Sequence, residues 1–133
     1  MNIYSQASIF LLALLFVSFT TANEQQAILQ QTELAIKAGD AKSLITNFDN
    51  VIDIKTDNKE GAYSKTQAEF VLKDFFRRFP PKSFDYKHQG SSPAGAHYAI
   101  GTYISGGTSF RVYMKLRKVG NSFLMDTLSF SKN

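Results

Sequence analysis

The chain has two histidines and no cysteine, which limits the chemistry available to it. The absence of cysteine excludes disulfides, thiolate metal sites and a cysteine nucleophile. His88 and His97 have no nearby acid in register with them, so we predict no metal and no other cofactor. His97 is the more interesting of the two, because an imidazole titrates near neutral pH. A hydrogen-bonded histidine at the start of a strand is the alternative interpretation of this residue.

Carboxylates are the remaining candidates for a general base. Asp53 alternates with Ile52 and Ile54 in a short strand, so it faces outward if the two isoleucines face inward. Asp126 is predicted to lie opposite Lys115 on the outer face of a sheet, where the two would form an ion pair. We therefore predict no catalytic residue. The glycine pairs are interpreted as hairpin turns rather than phosphate-binding loops.

The sheet that positions these residues is predicted from residues 96–130, which contain three strand-like runs separated by two glycine turns. Gly106 and Gly107 are predicted to close the first hairpin, and Gly120 and Asn121 the second. The resulting register gives an apolar inner face that carries His97, Ala99, Gly101, Tyr103, Phe110, Val112, Met114, Leu116, Phe123, Met125 and Thr127. The apolar residues of the mixed outer face are then Tyr98, Ile100, Ile104, Tyr113, Leu124, Leu128 and Phe130.

A long amphipathic helix is predicted over residues 65–79, after a capping box formed by Ser64 and Gln67. Its apolar face follows helical spacing and comprises Ala68, Val71, Leu72, Phe75, Phe76 and Phe79. Two prolines, Pro80 and Pro81, end the helix. This helix is expected to fill the inner face of the sheet. A following strand over residues 83–89 is predicted to place Phe84, Tyr86 and His88 on one side.

Two further helices and a strand are predicted before the long helix. The first helix covers residues 23–38, with Asn23 as its N-cap, and a shorter helix covers residues 41–48, with Asp40 as its N-cap. A short strand follows over residues 51–55. Tyr63 is predicted to cover the core just before the capping box, and a pocket hydroxyl is the alternative for it.

The N-terminus is typical of an export signal, because residues 9–19 are apolar and Thr20, Thr21 and Ala22 are small. We predict a signal peptide over residues 1–22 and a single domain over residues 23–133, located in the periplasm or outside the cell. An uncleaved N-terminal anchor is the alternative; after cleavage no membrane span is expected. The net charge of +4 is too small to indicate a nucleic-acid partner, and no aromatic-basic RNA motif is present.

The order of these elements, with Ala-Gly-Asp-Ala at 38–41 and Phe-Asp-Asn-Val at 48–51, resembles the nuclear transport factor 2-like superfamily. This cystatin-like cone also includes ketosteroid isomerase-type enzymes, and the chain is most similar to small secreted bacterial members of unknown function over residues 24–130. The resemblance implies an α+β fold with N-terminal helices packed on a curved antiparallel sheet. It also implies a pocket between helix and sheet, and dimerisation through the other face of the sheet.

The enzymes of the superfamily use Tyr and Asp side chains inside the cone, and this chain departs from that pattern. Its first helix has no tyrosine, and the last strand offers no inward acid. We therefore expect no enzyme. The first hypothesis is a module that binds a small apolar or amphipathic ligand, or a peptide, in a pocket lined by Tyr63, Phe79, His97, Tyr103, Met114 and Met125. The alternative is a homodimeric protein-interaction or scaffold module that associates through the outer sheet face. A ketosteroid isomerase-like enzyme ranks third.

Overall fold

The computed structural model describes the backbone of residues 20–133 and the side chains from residue 24 onward. The predicted signal segment lies outside the described residues except for its end, where helix α1 begins at Thr20. No helix in the described part of the chain is both long and apolar enough to cross a membrane. The elements in chain order are α1 (Thr20–Ala38), α2 (Ala41–Leu44), a 3₁₀ turn (Ile45–Asn47), β1 (Phe48–Lys55), β2 (Glu60–Ser64), α3 (Lys65–Arg78), β3 (Ser83–Ser91), β4 (His97–Ser105), β5 (Thr108–Val119) and β6 (Ser122–Lys132).

The strands form one curved sheet in the order β2-β1-β6-β5-β4-β3. All neighbouring strands are antiparallel except β1 and β6, which run parallel, so the sheet is mixed. The predicted α+β class, with helices packed on a curved sheet, is confirmed. The sequence did not indicate β2, nor the pairing of β1 with the last strand.

The β4–β5 hairpin has the predicted register. Tyr103 pairs with Phe110 and Ala99 pairs with Met114, all on the inner face. Gly106 in the turn has a φ of 55°, a left-handed conformation that glycine adopts without steric cost. The alternation of buried and half-buried residues along β4 follows this register, so local turn chemistry was sufficient to predict the hairpin.

A β-bulge in β6 corrects the predicted faces of the last strand. Lys115 pairs with Thr127 and Leu116 pairs with Met125, so Asp126 is an extra residue between them. A single extra residue moves all later side chains to the opposite face. Leu128 and Phe130 are therefore buried on the inner face and Thr127 lies on the outer face, contrary to the prediction. The predicted ion pair is present, with Lys115 Nζ at 3.4 Å from Asp126 Oδ2.

A second bulge corrects the prediction for β3. Tyr86 pairs with Gly101 and His88 pairs with Ile100, which leaves Lys87 as the extra residue. His88 is therefore exposed on the outer face and does not share a face with Tyr86. The prediction that His88 and Tyr86 share a face was wrong, because this bulge, like the one in β6, moves the following side chains to the opposite face.

Helix α3 packs on the inner face as predicted. Both hydrogen bonds of the Ser64–Gln67 capping box are present at its start. The ring of Phe75 is fully buried, with its centroid 4.5 Å from Phe130 and 5.2 Å from Phe110. Complete burial of such a side chain stabilises a fold by about 1.5–3 kcal/mol. The helix and the sheet thus share one core.

The curvature of the sheet depends on a glycine in β4. A Cβ atom at Gly101 would lie 2.7 Å from the Asp85 carbonyl oxygen and 2.7 Å from a ring carbon of Phe84. Only glycine allows β3 and the Phe84 ring to approach β4 so closely. The inner face can therefore close around α3.

The N-terminal helices cover the rest of the inner face. Leu29, Thr32 and Ile36 of α1 are buried. The helix begins at Thr20, so the N-cap prediction for Asn23 was wrong. The cap of α2 is confirmed, since the Ser43 amide donates to Asp40 Oδ1 at 3.1 Å. That helix ends at Leu44 rather than at residue 48.

Candidate functional site

The end of the inner face near the β4–β5 turn is covered by aromatic rings around Tyr103. The Tyr103 side chain is fully buried, and its ring centroid lies 5.7 Å from that of Phe75 and 6.0 Å from that of Phe110. Its hydroxyl donates a hydrogen bond to the Phe79 carbonyl at 2.5 Å. Burial raises the pKa of Tyr103 well above its usual range. The phenol is thus neutral and already engaged inside the core.

The rim of the cone carries Phe79 and Tyr63, and both side chains are half-buried. The Phe79 ring lies between two cations, with the Arg78 guanidinium carbon at 5.3 Å and Lys132 Nζ at 5.4 Å from its centroid. Cations at such distances are attracted to the face of an aromatic ring. Tyr63 lies in β2 opposite Ile52 and packs against the core. Both residues thus border the interior rather than line a cavity.

The part of the inner face farther from the β4–β5 turn holds the two predicted methionines. Met114 and Met125 are fully buried on the inner face. Tyr86, a residue that we did not predict as a site residue, donates its hydroxyl to the Leu29 carbonyl at 2.6 Å and lies 3.8 Å from Met114 Sδ. Burial, followed by the negative charge of Glu33, raises the pKa of Tyr86. Tyr86 therefore links the sheet to α1 as a neutral phenol.

His97 begins β4 and is part of a chain of polar side chains. Its Nδ1 lies 3.3 Å from Ser91 Oγ, and its Nε2 lies 3.4 Å from Gln89 Oε1. Gln26 of α1 donates to the same oxygen of Gln89 at 3.4 Å. Burial lowers the pKa of His97, because the protonated ring would lose its hydration. We name His97, Ser91, Gln89 and Gln26 the polar cluster.

The six predicted pocket residues thus all lie on the inner face or at its rim. Tyr103, Met114 and Met125 have no exposed surface. A ligand could contact these three only after neighbouring side chains of the core move. Among the described residues, no group of three or more histidine or carboxylate side chains is placed to hold a metal ion.

The outer face presents a different surface, which we name the apolar patch. Its members are half-buried side chains on β4, β5 and β6, namely Tyr98, Ile100, Ile104, Tyr113 and Leu124. Ile100 and Tyr113 are directly opposite each other at its centre. The Tyr98 ring lies over Gly90, where a Cβ atom would be 2.3 Å from the Tyr98 hydroxyl. His88 adjoins this ring, with a centroid separation of 6.0 Å.

A groove adjoins the apolar patch where β6, β1 and β2 meet on the outer face. It has a volume of about 380 Å³. Asp53 lies at its centre, exposed and paired with Ala62 on one side and Thr127 on the other. We name this region the outer groove; its outward side chains are Asp53, Lys55, Glu60, Ala62, Thr127 and Ser129. The predicted outward orientation of Asp53 is confirmed.

Two ion-pair groups that the sequence did not indicate hold the ends of the strands. Arg78 reaches Asp57 in the β1–β2 loop at 2.6 Å and Asp74 at 2.9 Å. Its hydrogen bonds hold the pKa of Asp57 below its usual range. Arg117 contacts Asp49 at 2.6 Å across β6, and this hydrogen bond likewise lowers the pKa of Asp49. These ion pairs join separate elements of the fold.

The helices, the curved sheet and the filled cone define a nuclear transport factor 2-like, cystatin-like α+β protein. The family described as a domain of unknown function, DUF4783, matches residues 29–131, so the chain belongs to that family. A crystal structure of a DUF4783 family protein from Bacteroides uniformis is 26% identical, with a TM-score of 0.71, and the match covers 78% of this chain and 95% of that one.

Two more distant structures share the fold alone. A nuclear transport factor 2-like protein of unknown function from Shewanella baltica is 16% identical, with a TM-score of 0.62 over 84% of this chain and 93% of that one. An uncharacterised cystatin-fold protein from Novosphingobium aromaticivorans is 13% identical, with a TM-score of 0.59 over 78% of this chain and 94% of that one. No curated protein matches the chain.

Proposed function

We propose that this protein is a non-enzymatic interaction module of the cell envelope that forms a homodimer through the apolar patch. The observation that supports this proposal is the placement of Ile100 and Tyr113, opposite each other at the centre of an outer face that carries three further apolar side chains. Helix α3 covers the inner face and leaves the outer face free of any described element. Partly exposed apolar side chains gathered on one uncovered face are typical of a protein–protein interface.

The composition of the patch suits a second copy of the chain. Tyrosine and isoleucine form its centre, and polar side chains lie beside them. These are the hydroxyl side chains of Thr102, Ser109 and Ser129 and the cationic side chains of Arg111, Lys115 and Arg117. An apolar centre with a polar rim is the usual anatomy of an interface. In a two-fold dimer the same patch is used twice, so it must be complementary to itself, and a surface of uncharged side chains at its centre meets that condition. The resemblance to the nuclear transport factor 2-like superfamily implies dimerisation through the same face.

Sedimentation equilibrium with one patch variant and one matched control tests this proposal. Ile100→Asp is expected to convert a dimer into a monomer, because two carboxylates would be buried at the centre of the interface. The control is Phe70→Asp, which alters a side chain that is 67% exposed on α3, away from the sheet. This control is expected to remain dimeric. A wild-type protein that stays monomeric at high micromolar concentration would exclude the proposal, as would equal behaviour of the two variants.

A ligand inside the cone is the second candidate function. The observation that favours it is the polar cluster at His97, because its hydrogen bonds of 3.3 and 3.4 Å are at the long end of the range and are exchangeable for bonds to a ligand. An amphipathic molecule would place its polar end there and its apolar part against Met114 and Met125. Native mass spectrometry of the protein purified from its own host is expected to show an added mass that His97→Ala loses. The absence of any added mass in the wild type would exclude this candidate.

Export is part of the proposal and is supported by the apolar run over residues 9–19. Cleavage after Ala22 predicts a mature chain that begins at Asn23. Intact-mass measurement of the protein from the envelope fraction checks this directly. A protein found in the cytoplasmic fraction with residues 1–22 retained would contradict export.

A further inference from the structure

Among the described residues, no strand pairs with the outer edges of β3 and β2, and these two edges are protected to different degrees. Strand β3 follows Pro81 and Lys82 and contains a bulge at Lys87, and all three features discourage another strand from pairing with it. Strand β2 has five residues and, within Glu60–Ser64, no lysine, no proline and no bulge. Its middle residues, Gly61 and Ala62, are small and exposed. The β2 edge is therefore the accessible edge.

The hydrogen-bonding pattern of the β1–β2 hairpin shows which backbone N–H and C=O groups of β2 point away from β1. The Thr56 amide donates to the Lys59 carbonyl at 2.8 Å, so this pair is hydrogen bonded. In an antiparallel ladder, hydrogen-bonded and non-hydrogen-bonded pairs alternate. Gly61 is therefore bonded to β1, while Glu60 and Ala62 direct their N–H and C=O groups away from the sheet.

The hydrogen bond of Ser64, at the end of β2, agrees with this pattern. Backbone groups of every second residue point outward, so the Ser64 amide should point outward like those of Glu60 and Ala62. This amide indeed donates to Gln67 Oε1 at 3.1 Å rather than to β1. The capping box thus uses one outward amide, and the outward groups of Glu60 and Ala62 remain for a partner. Two residues with four backbone groups are sufficient to anchor a short strand.

The outer groove lies directly beside this edge. Ala62 lines it, and the next residues in the same row are Asp53 and Thr127. A side chain that an added strand places beside Ala62 would therefore extend over the groove, because Ala62 is too small to block it. The charged lining consists of Asp53 and Glu60 against Lys55. None of these three takes part in the ion pairs of the described residues.

We propose that β2 accepts an extended segment of a partner protein as an additional strand, and that a lysine or arginine of this segment occupies the outer groove. Backbone hydrogen bonds to Glu60 and Ala62 would provide the affinity, and the excess of carboxylates in the groove would select the basic side chain. This inference goes beyond the proposed dimer, because it concerns the sheet edge rather than the apolar patch.

A second copy of this chain is a poor occupant of the edge. Lys65 is already the first residue of α3, so an antiparallel pair of two β2 strands is limited to Glu60–Ser64, which contains no basic residue. Such a pair would place Ala62 beside Ala62 and would supply no lysine or arginine to the outer groove. A segment of a different protein can supply one.

The test uses a short synthetic peptide of alternating threonine and lysine, with a threonine–glutamate peptide as its charge control, and measures binding by fluorescence anisotropy. The protein has a net charge of +4, so non-specific attraction would favour the glutamate peptide. Tighter binding of the lysine peptide is expected and must arise from local carboxylates. Asp53→Asn is expected to reduce this preference. Equal binding of the two peptides, or tighter binding of the glutamate peptide, would overturn the proposal.

Two variants at one position test the backbone contact. Ala62→Pro removes an outward amide and is expected to weaken binding of the lysine peptide about tenfold, whereas Ala62→Gly keeps the amide and leaves the groove open, so it is expected to bind as the wild type does. Hydrogen exchange on the wild-type protein covers the case in which the proline variant does not fold. The amides of Glu60 and Ala62 are expected to exchange freely and to become protected when the peptide binds. Amides that are protected without peptide, or unchanged with it, would overturn the proposal.

Ile100→Asp is expected to bind the peptide normally, so the failure of the dimer and the failure of the edge site are distinguishable.

Discussion

The inner and outer faces of the sheet are formed by the same strands but bury their apolar side chains to different extents. On the inner face, Tyr103, Phe110 and Phe130 are fully buried against Phe75 of α3. On the outer face, Ile100 and Tyr113 remain half-buried and are covered by no described element. Inner residues thus determine stability, whereas outer residues are available for association. The following predictions test this division.

The largest effect is expected from deletion of Ser129. Leu128 and Phe130 both lie on the inner face with Ser129 between them, and adjacent residues of a strand point to opposite faces, so the deletion would turn one of the two apolar side chains outward. We expect the variant to lose its cooperative unfolding transition in circular dichroism. Deletion of Asp126 is the control and is expected to fold, because without the bulge residue Met125, Thr127 and Leu128 still alternate between the two faces. A Ser129 deletion variant as stable as wild type would show that the two faces are interchangeable.

Truncation of Phe130 is expected to have the next largest effect. The side chain is fully buried, and its ring centroid is 4.5 Å from Phe75 and 5.6 Å from Tyr103. Phe130→Ala is expected to lower the free energy of unfolding by about 3–5 kcal/mol, as for other large-to-small changes in a core. Leu124→Ala on the outer face of the same strand is expected to cost under about 1 kcal/mol in the monomer. Chemical denaturation of both proteins measures the difference, and equal losses would contradict it.

An added methyl group at Gly101 is expected to have an intermediate effect. The Cβ atom of Gly101→Ala would lie 2.7 Å from the Asp85 carbonyl oxygen, so β3 or the Phe84 ring must shift. Overpacking of this kind costs about 1–3 kcal/mol. The matched change on the outer face is Gly90→Ala, where the Tyr98 side chain has to move instead. Thermal unfolding is expected to rank Gly101→Ala as the less stable of the two.

The smallest effect concerns pH and the polar cluster. Because burial lowers the pKa of His97, the unfolded chain takes up a proton at this residue at a higher pH than the folded protein does. The contribution to stability is therefore complete above the ordinary histidine pKa of about 6.5 and is lost as the pH falls through the lower folded value. Urea denaturation from about pH 8 to about pH 5 is expected to show this loss in the wild type and less of it in His97→Gln. A pH dependence that is unchanged by the substitution would assign it to other groups.

Local signals in the sequence were sufficient for much of the fold. The turn at Gly106 fixed the β4–β5 register, and the spacing from Ala68 to Phe76 predicted the buried face of α3. The capping box at Ser64 located the start of that helix. Each of these features depends on residues close together in the chain.

The features that were missed depend on contacts between distant residues. The bulges at Lys87 and Asp126 satisfy the packing of the core and have no distinctive local sequence, so the faces of Phe130 and His88 were predicted wrongly. The Glu60–Ser64 segment is a strand only because it pairs with β1, since glycine and alanine have low strand propensity.

For the candidate site, the sequence predicted that the six pocket residues lie on or beside the inner face. It did not predict how exposed each of them is. The exposure of Tyr103, Met114 and Met125 depends on how completely α3 and α1 cover them. The outer groove was missed because its lining combines β1, β2 and β6, which no local pattern brings together.

The parallel pairing of β1 with β6 has a consequence for folding. Strand β6 lies between β1 and β5, so the β1–β2 hairpin joins the rest of the sheet only through Ser122–Lys132. Because these contacts join residues far apart in the chain, the sheet is completed only after distant segments have met, and such long-range pairing slows folding.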